Sequence, residues 1–130
     1  MRFGGRRAAL PLSLWLPVGA WLAGCSSGGG TEDARAQVAR GEQLYQQRCA
    51  VCHQPGGIGR DLTASLLATR GTALRVFTDI RTTMPYDDPG SLPEQDYWDV
   101  TAYLLSDRGL IDPQSVLSRD NGGDLRLATE

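Results

Sequence analysis

Lysine is absent from all 130 residues, and histidine occurs once, at position 53. Every one of the 13 basic residues is therefore an arginine, and the arginines are scattered. A nucleic-acid-binding surface needs a basic stripe, and none is present. With one histidine, any site built on two would need a second chain. No useful length of sequence alternates apolar and polar residues, and no segment repeats, which argues against sheet and solenoid architectures. Long apolar runs are also missing. The longest, Ala8 to Leu22, is interrupted by Pro11, Pro17 and Gly19. It is too short for the about 20 residues a membrane-spanning helix needs.

That run follows a basic start, Met1 to Arg7, and reads as an export signal. It closes on Leu22-Ala23-Gly24-Cys25, which resembles the lipobox of bacterial lipoproteins, where the cysteine becomes the lipidated first residue. The alternative is an ordinary secretory signal with a coincidental cysteine. The expected organisation is a signal peptide over 1–24, a lipidated flexible tether over 25–33, a folded domain over 34–111 and a C-terminal extension over 112–130. The tether rests on Ser26-Ser27-Gly28-Gly29-Gly30, a flexible composition. Such a protein would sit in the bacterial cell envelope, anchored through lipid, with its domain on the periplasmic side. From Cys25 onward ten arginines face fifteen acids, a balance of −5. An acidic surface suits a partner with a basic docking patch, and Asp87, Asp88, Glu94 and Asp96 are candidates to meet it.

Helical signals fill the chain after Asp33. A first helix is expected from about Ala34 to Cys49, carrying Val38, Leu44 and Tyr45. A loop follows, Gln54-Pro55-Gly56-Gly57-Ile58-Gly59, and then a short helix over Thr63 to Arg70 that Gly71 stops. Ala73, Val76, Phe77 and Ile80 stand at i, i+3, i+4 and i+7, one buried face of a third helix. Pro85 forbids its extension. Ser91-Leu92-Pro93-Glu94 has the form of a capping box, with the Ser91 side chain accepting from the Glu94 N–H. Proline in that first turn costs nothing, since its missing donor would be unpaired anyway. Tyr97, Val100, Thr101 and Leu104 continue the last helix to Gly109. The expected fold is all-α, about four helices. Their core is thin for independent stability, so another body should fill the middle, and a porphyrin fits that need.

Cys49-Ala50-Val51-Cys52-His53 points to what that body is. Two cysteines three apart at a helix end can each add a thiol across one haem vinyl group, and the adjacent histidine is then aimed at the iron. A thioredoxin-like redox pair would want a βαβ context. A zinc site would want four ligands, and once Cys25 is lipidated no other Cys or His remains. A Cys49–Cys52 disulfide would close too small a loop to staple much. The expected cofactor is one covalent haem c on Cys49 and Cys52, with His53 on the iron. Elimination supplies the second axial ligand. Met1 leaves with the signal, so Met84 is the remaining methionine, and it stands before Pro85 at a loop exit and not on a helical stripe. Its alternative role is to fill the core. His/Met ligation raises the potential for electron transfer.

With these residues the chain resembles small monohaem class I cytochromes c over about Ala34 to Gly109. Gly41 and Tyr45 repeat that family's first-helix spacing ahead of Cys49, Cys52 and His53. Met84-Pro85 matches its distal-ligand motif, and Trp98 with Ala102-Tyr103-Leu104 is similar to its final helix. The resemblance implies a class I cytochrome c fold in which the glycine lets the terminal helices cross closely. Val100 and Tyr103 should then meet Gly41 and Tyr45. One departure stands out. Gly59-Arg60-Asp61-Leu62 puts Arg60 where the family has a proline whose carbonyl accepts from the proximal histidine Nδ1–H. Arg60 keeps a carbonyl but gives up loop rigidity. Its side chain either pairs with a haem propionate or stays solvated. Many members of the family exchange methionine for lysine in alkali, and this chain has no lysine to offer.

The expected function is one-electron transfer by a membrane-anchored carrier between redox proteins, with no catalysis and no small-molecule substrate. Two alternatives stand beside it. In the first, the chain is an obligate haem subunit of a periplasmic dehydrogenase, and residues 112–130, with Leu117, Leu125 and Leu127, contribute to that interface. The same residues read equally well as a strap along the haem domain. The second is a ligand-binding haem sensor, which needs an open iron site; Met84 weighs against it.

Overall fold

Local capping chemistry sets several of the helix boundaries. A computed structural model describes residues 29–128; the expected signal segment 1–24 and Cys25 lie outside the described residues. Among the described residues five helices follow one another: α1 (Gly29–Arg48), α2 (Ala50–His53), α3 (Ala64–Ala68), α4 (Ala73–Thr83) and α5 (Glu94–Asp107). No strand occurs among the described residues, only an isolated bridge between Thr72 and Arg126. The fold is all-α, as expected, with the cysteine motif forming a helical turn of its own. No helix among the described residues is long and apolar enough to cross a membrane.

The Thr63 hydroxyl accepts from the Leu66 N–H at 3.2 Å and starts α3. Thr72 caps α4 in the same way through the Arg75 N–H at 3.4 Å. A threonine oxygen here satisfies a donor that has no partner inside the helix. Between them Gly71 turns the chain at a φ of 78°, a conformation that glycine adopts without a Cβ penalty. At the end of α5 the Gly109 N–H reaches the Ser106 carbonyl at 3.0 Å and the Leu110 N–H reaches Leu105 at 2.9 Å. This is the Schellman pairing, and it buries Leu110.

Two boundaries differ from expectation. α1 begins at Gly29, inside the stretch expected as tether. The capping box at Ser91 does not form. Pro93 occupies the cap position without a side-chain cap bond, and Glu94 turns instead to Arg119, which it meets at 2.9 and 2.7 Å. A charged bidentate partner outcompetes the reach back to a backbone amide.

The main helix contact joins α1 to α5. A Cβ on Gly41 would lie 1.9 Å from the Asp99 carbonyl oxygen and 2.9 Å from the Tyr103 Cβ, so the helices cross where α1 has no side chain. Tyr45 packs on Tyr103 beside the crossing, ring centres 5.4 Å apart. Val100, expected at Gly41, faces a cavity instead; it is the backbone of Asp99 that Gly41 meets. Arg40 grips the nearly buried Asp99 carboxylate at 2.7 and 3.2 Å, and Gln95 adds a third bond at 2.7 Å.

Residues 112–128 form the strap. Gln37, buried in α1, donates to the Leu117 carbonyl at 2.9 Å and accepts its N–H at 2.8 Å. One side chain thus imitates a strand neighbour and satisfies both backbone groups. The Leu127 N–H reaches Gly71, the Ala73 N–H reaches Leu125 and the Leu74 N–H reaches Gly122. Leu117 and Leu127 are buried. Gly122 lies so close to the Trp98 ring that a Cβ there would come within 2.6 Å, and Trp98 stacks on Phe77 at 3.9 Å.

Candidate haem site

The cysteine motif begins where α1 ends. The Cys49 N–H still bonds to the Tyr45 carbonyl at 2.8 Å, while the Cys52 and His53 N–H groups both turn back to the Cys49 carbonyl at 3.1 and 2.9 Å. This single turn puts both cysteines and the histidine on one wall of a cavity of about 1020 Å³. Both thiols are free. Burial pushes the Cys49 thiol up from its usual range, with Arg48 opposing, so it stays protonated and uncharged in its apolar setting.

The chain then folds under the histidine. The Gly59 N–H bonds to the Cys52 carbonyl at 2.8 Å, and a Cβ on Gly59 would lie 2.9 Å from His53 Nδ1. This close passage brings the Arg60 carbonyl to 2.8 Å from that nitrogen. A carbonyl only accepts, so Nδ1 carries a proton, and in the neutral ring Nε2 keeps its lone pair. The bond expected of the family's proline thus survives on arginine, and it both orients the ring and raises its basicity. Two further contacts stiffen this side. Tyr45 donates its hydroxyl to the His53 carbonyl at 3.2 Å, and Arg108, next after α5, donates Nε to the Leu62 carbonyl.

Met84 reaches the same cavity from the C-cap of α4, where its N–H closes on the Ile80 carbonyl at 2.8 Å. Leu62, Leu67, Val76, Ile80, Val100 and Leu104 supply much of the remaining lining. Arg60 also lines it, with Arg48 and with Arg70, whose Nε meets Asp79 at 2.7 Å.

The residues therefore fit the group they were expected to hold. The thiols are spaced like a Cys-x-x-Cys-His haem-binding motif, the imidazole nitrogen left without a proton is the one free to bind iron, and the walls are mostly apolar. Among the described residues no three His, Cys, Asp or Glu side chains gather as a separate metal site.

Three contributors were not legible in the sequence. Tyr97, read as a core residue, is fully buried yet donates its hydroxyl to the Met84 carbonyl at 2.9 Å. A buried tyrosine signals that its hydroxyl has found a partner, but not which one. Nothing in the sequence marks Arg108 as reaching Leu62, or Tyr45 as reaching His53. Of the expected acidic patch, Asp87 and Asp88 are exposed beside the methionine. Glu94 is instead held by Arg119.

A helical domain closed around a cavity with this donor set is a c-type cytochrome, with one covalently bound haem c and electron transfer as its work. Within that class the chain belongs to the family described as cytochrome C oxidase, cbb3-type, subunit III, which it matches over residues 36–104. It is also 30% identical over 92 residues to a thiosulfate dehydrogenase from Stutzerimonas stutzeri (strain A1501), covering 61% of this chain and 30% of that protein. The chain thus spans less than a third of the length of this relative. No solved structure matches it.

Proposed function

We infer that the protein is a one-electron relay held at a membrane surface, with haem bound through Cys49 and Cys52 and its iron held by His53 and Met84. Bound haem supplies a one-electron iron couple. Of the chain's own residues, the Arg60 carbonyl fixes the histidine tautomer, and His53 and Met84 would hold the iron from its two sides, so the site would pass electrons without binding a substrate. The observation that carries this reading is that α2 and the C-cap of α4 deliver His53 and Met84 to the lining of one apolar cavity. The exposed Asp87 and Asp88 beside that cavity, on a chain of net −5 from Cys25, suit a partner with a basic patch.

Lipidation at Cys25 would set where the relay works. With α1 starting at Gly29, Ser26 to Gly28 separate it from the anchor, a stretch that reaches at most about 10 Å when extended. Donor and acceptor would have to meet it near the membrane. The thiosulfate dehydrogenase relative favours a second arrangement, in which a permanent dehydrogenase partner supplies the electrons.

Carbon monoxide tests the axial assignment. The reduced wild-type protein should bind it only to a small fraction, and Met84→Ala should keep its haem and bind the gas freely. Free binding by the wild type, or none by the variant, would overturn it. Cys25→Ser should release the protein from membranes; a variant that stays bound would remove the lipid anchor from the reading.

A further inference from the structure

The segment after Met84 has little to hold it. Tyr86, Asp87, Asp88, Pro89 and Gly90 are all exposed, and Gly90 turns at a φ of 81°. Its internal bonds are two turn contacts, Asp88 N–H to Pro85 at 3.1 Å and Ser91 N–H to Asp88 at 3.3 Å. Its two ends nevertheless converge on one atom. The Tyr97 hydroxyl donates to the Met84 carbonyl at 2.9 Å and accepts the Leu92 N–H at 3.3 Å. The Gly90 N–H adds a longer contact to the same Met84 carbonyl at 3.4 Å.

Tyr97 itself is firmly placed. It is fully buried, its ring stands edge-on to Phe77 at 6.3 Å, and its carbonyl accepts the Thr101 hydroxyl at 2.7 Å. Its side chain also lines the cavity that Met84 enters. A rigid helix thus presents one hydroxyl to both ends of an otherwise exposed loop. We propose that Tyr97 is a positioning residue for the distal side: its hydroxyl pins Met84 and Leu92 together, and so sets how often the methionine leaves the iron. This rests on Met84 being the axial ligand. Without the hydroxyl the ring still packs, but the loop base loses both bonds, and the Met84 carbonyl and Leu92 N–H turn to water as the loop swings away.

The test compares carbon monoxide binding to reduced, haem-loaded protein in four forms. Tyr97→Phe keeps the ring and should raise the gas-accessible fraction at least roughly tenfold, the effect of losing two such bonds. Gln37→Leu removes the buried bonds to Leu117, which do not involve the loop, and should leave that fraction at the wild-type level although the fold is less stable. Met84→Ala should bind freely. If Tyr97→Phe behaves as wild type, or if Gln37→Leu opens the site equally, the positioning role is wrong while the Met84 assignment stands. If Met84→Ala stays closed, the ligand assignment fails and the inference falls with it. Hydrogen exchange of the wild-type protein offers a check that needs no variant. The Leu92 amide should exchange slowly despite its exposed neighbours, and exchange at the rate of an unprotected loop would overturn the clamp.

Discussion

Replacing Gly41 by alanine should break the helix crossing on which the domain depends. The added Cβ would meet the Asp99 carbonyl oxygen at 1.9 Å, against 3.4 Å for ordinary contact, so α1 must retreat from α5 by about 1.5 Å, that difference. The obstacle is backbone in the middle of α5, which has no rotamer to escape into. Gaps of 0.5–1 Å already forfeit a quarter to a half of each dispersion contact, and the Tyr45–Tyr103 ring pair and the Arg40–Asp99 bridge both span this crossing. The helix itself would gain about 1 kcal/mol from alanine over glycine. Overpacking of this severity lies at or beyond the upper end of the usual 1–3 kcal/mol range, which leaves a net loss of at least about 2 kcal/mol. For a domain of about 100 residues that lowers Tm by at least about 8–16 °C. Thermal melts of the haem-loaded protein followed by helical circular dichroism would measure it. A Gly41→Ala variant melting within about 4 °C of wild type, less than 1 kcal/mol, would refute the close crossing.

Arg108→Met removes the donor that holds the Leu62 carbonyl, loosening the loop that carries the Arg60 carbonyl; with a weaker Nδ1 bond His53 becomes a poorer donor, and a redox titration should show the reduction potential rise. The Arg119 guanidinium holds the Glu94 carboxyl below its ordinary range. A depressed folded pKa means that the pair's contribution is present above the unfolded pKa and lost as pH falls through the folded one. The melting difference between wild type and Glu94→Gln should therefore be present at neutral pH, small because both groups are exposed, and vanish in acid. In alkali no lysine can replace the methionine. Burial holds the Tyr45 hydroxyl above its usual range, so the alkaline form should carry hydroxide or the exposed Tyr86, and paramagnetic resonance of a nitrogen-ligated low-spin alkaline form would contradict this.

What the sequence makes legible here is local chemistry. Cys49, Cys52 and His53 are read from five consecutive residues because haem attachment needs that spacing, and the structure puts them on one wall. The α4 face from Ala73 to Ile80 follows from helical period alone. The failures are non-local. Ser91-Leu92-Pro93-Glu94 satisfies the capping-box pattern, but the pattern cannot see Arg119, 25 positions from Glu94. Residues 112–128 read equally as strap or interface because their partner Gln37, 80 positions from Leu117, looks like any surface glutamine on the first helix. Tyr97 carries the right burial by period, but that its hydroxyl closes the methionine loop depends on a meeting of three segments.

The most direct test of the haem assignment is the mass of one peptide. Trypsin cuts after Arg48 and Arg60 and releases residues 49–60, the segment that holds Cys49, Cys52 and His53. From protein denatured and extracted with acid–acetone, this peptide should be heavier by one whole haem. An unmodified peptide with two free thiols, and haem in the extract, would contradict covalent attachment at these cysteines.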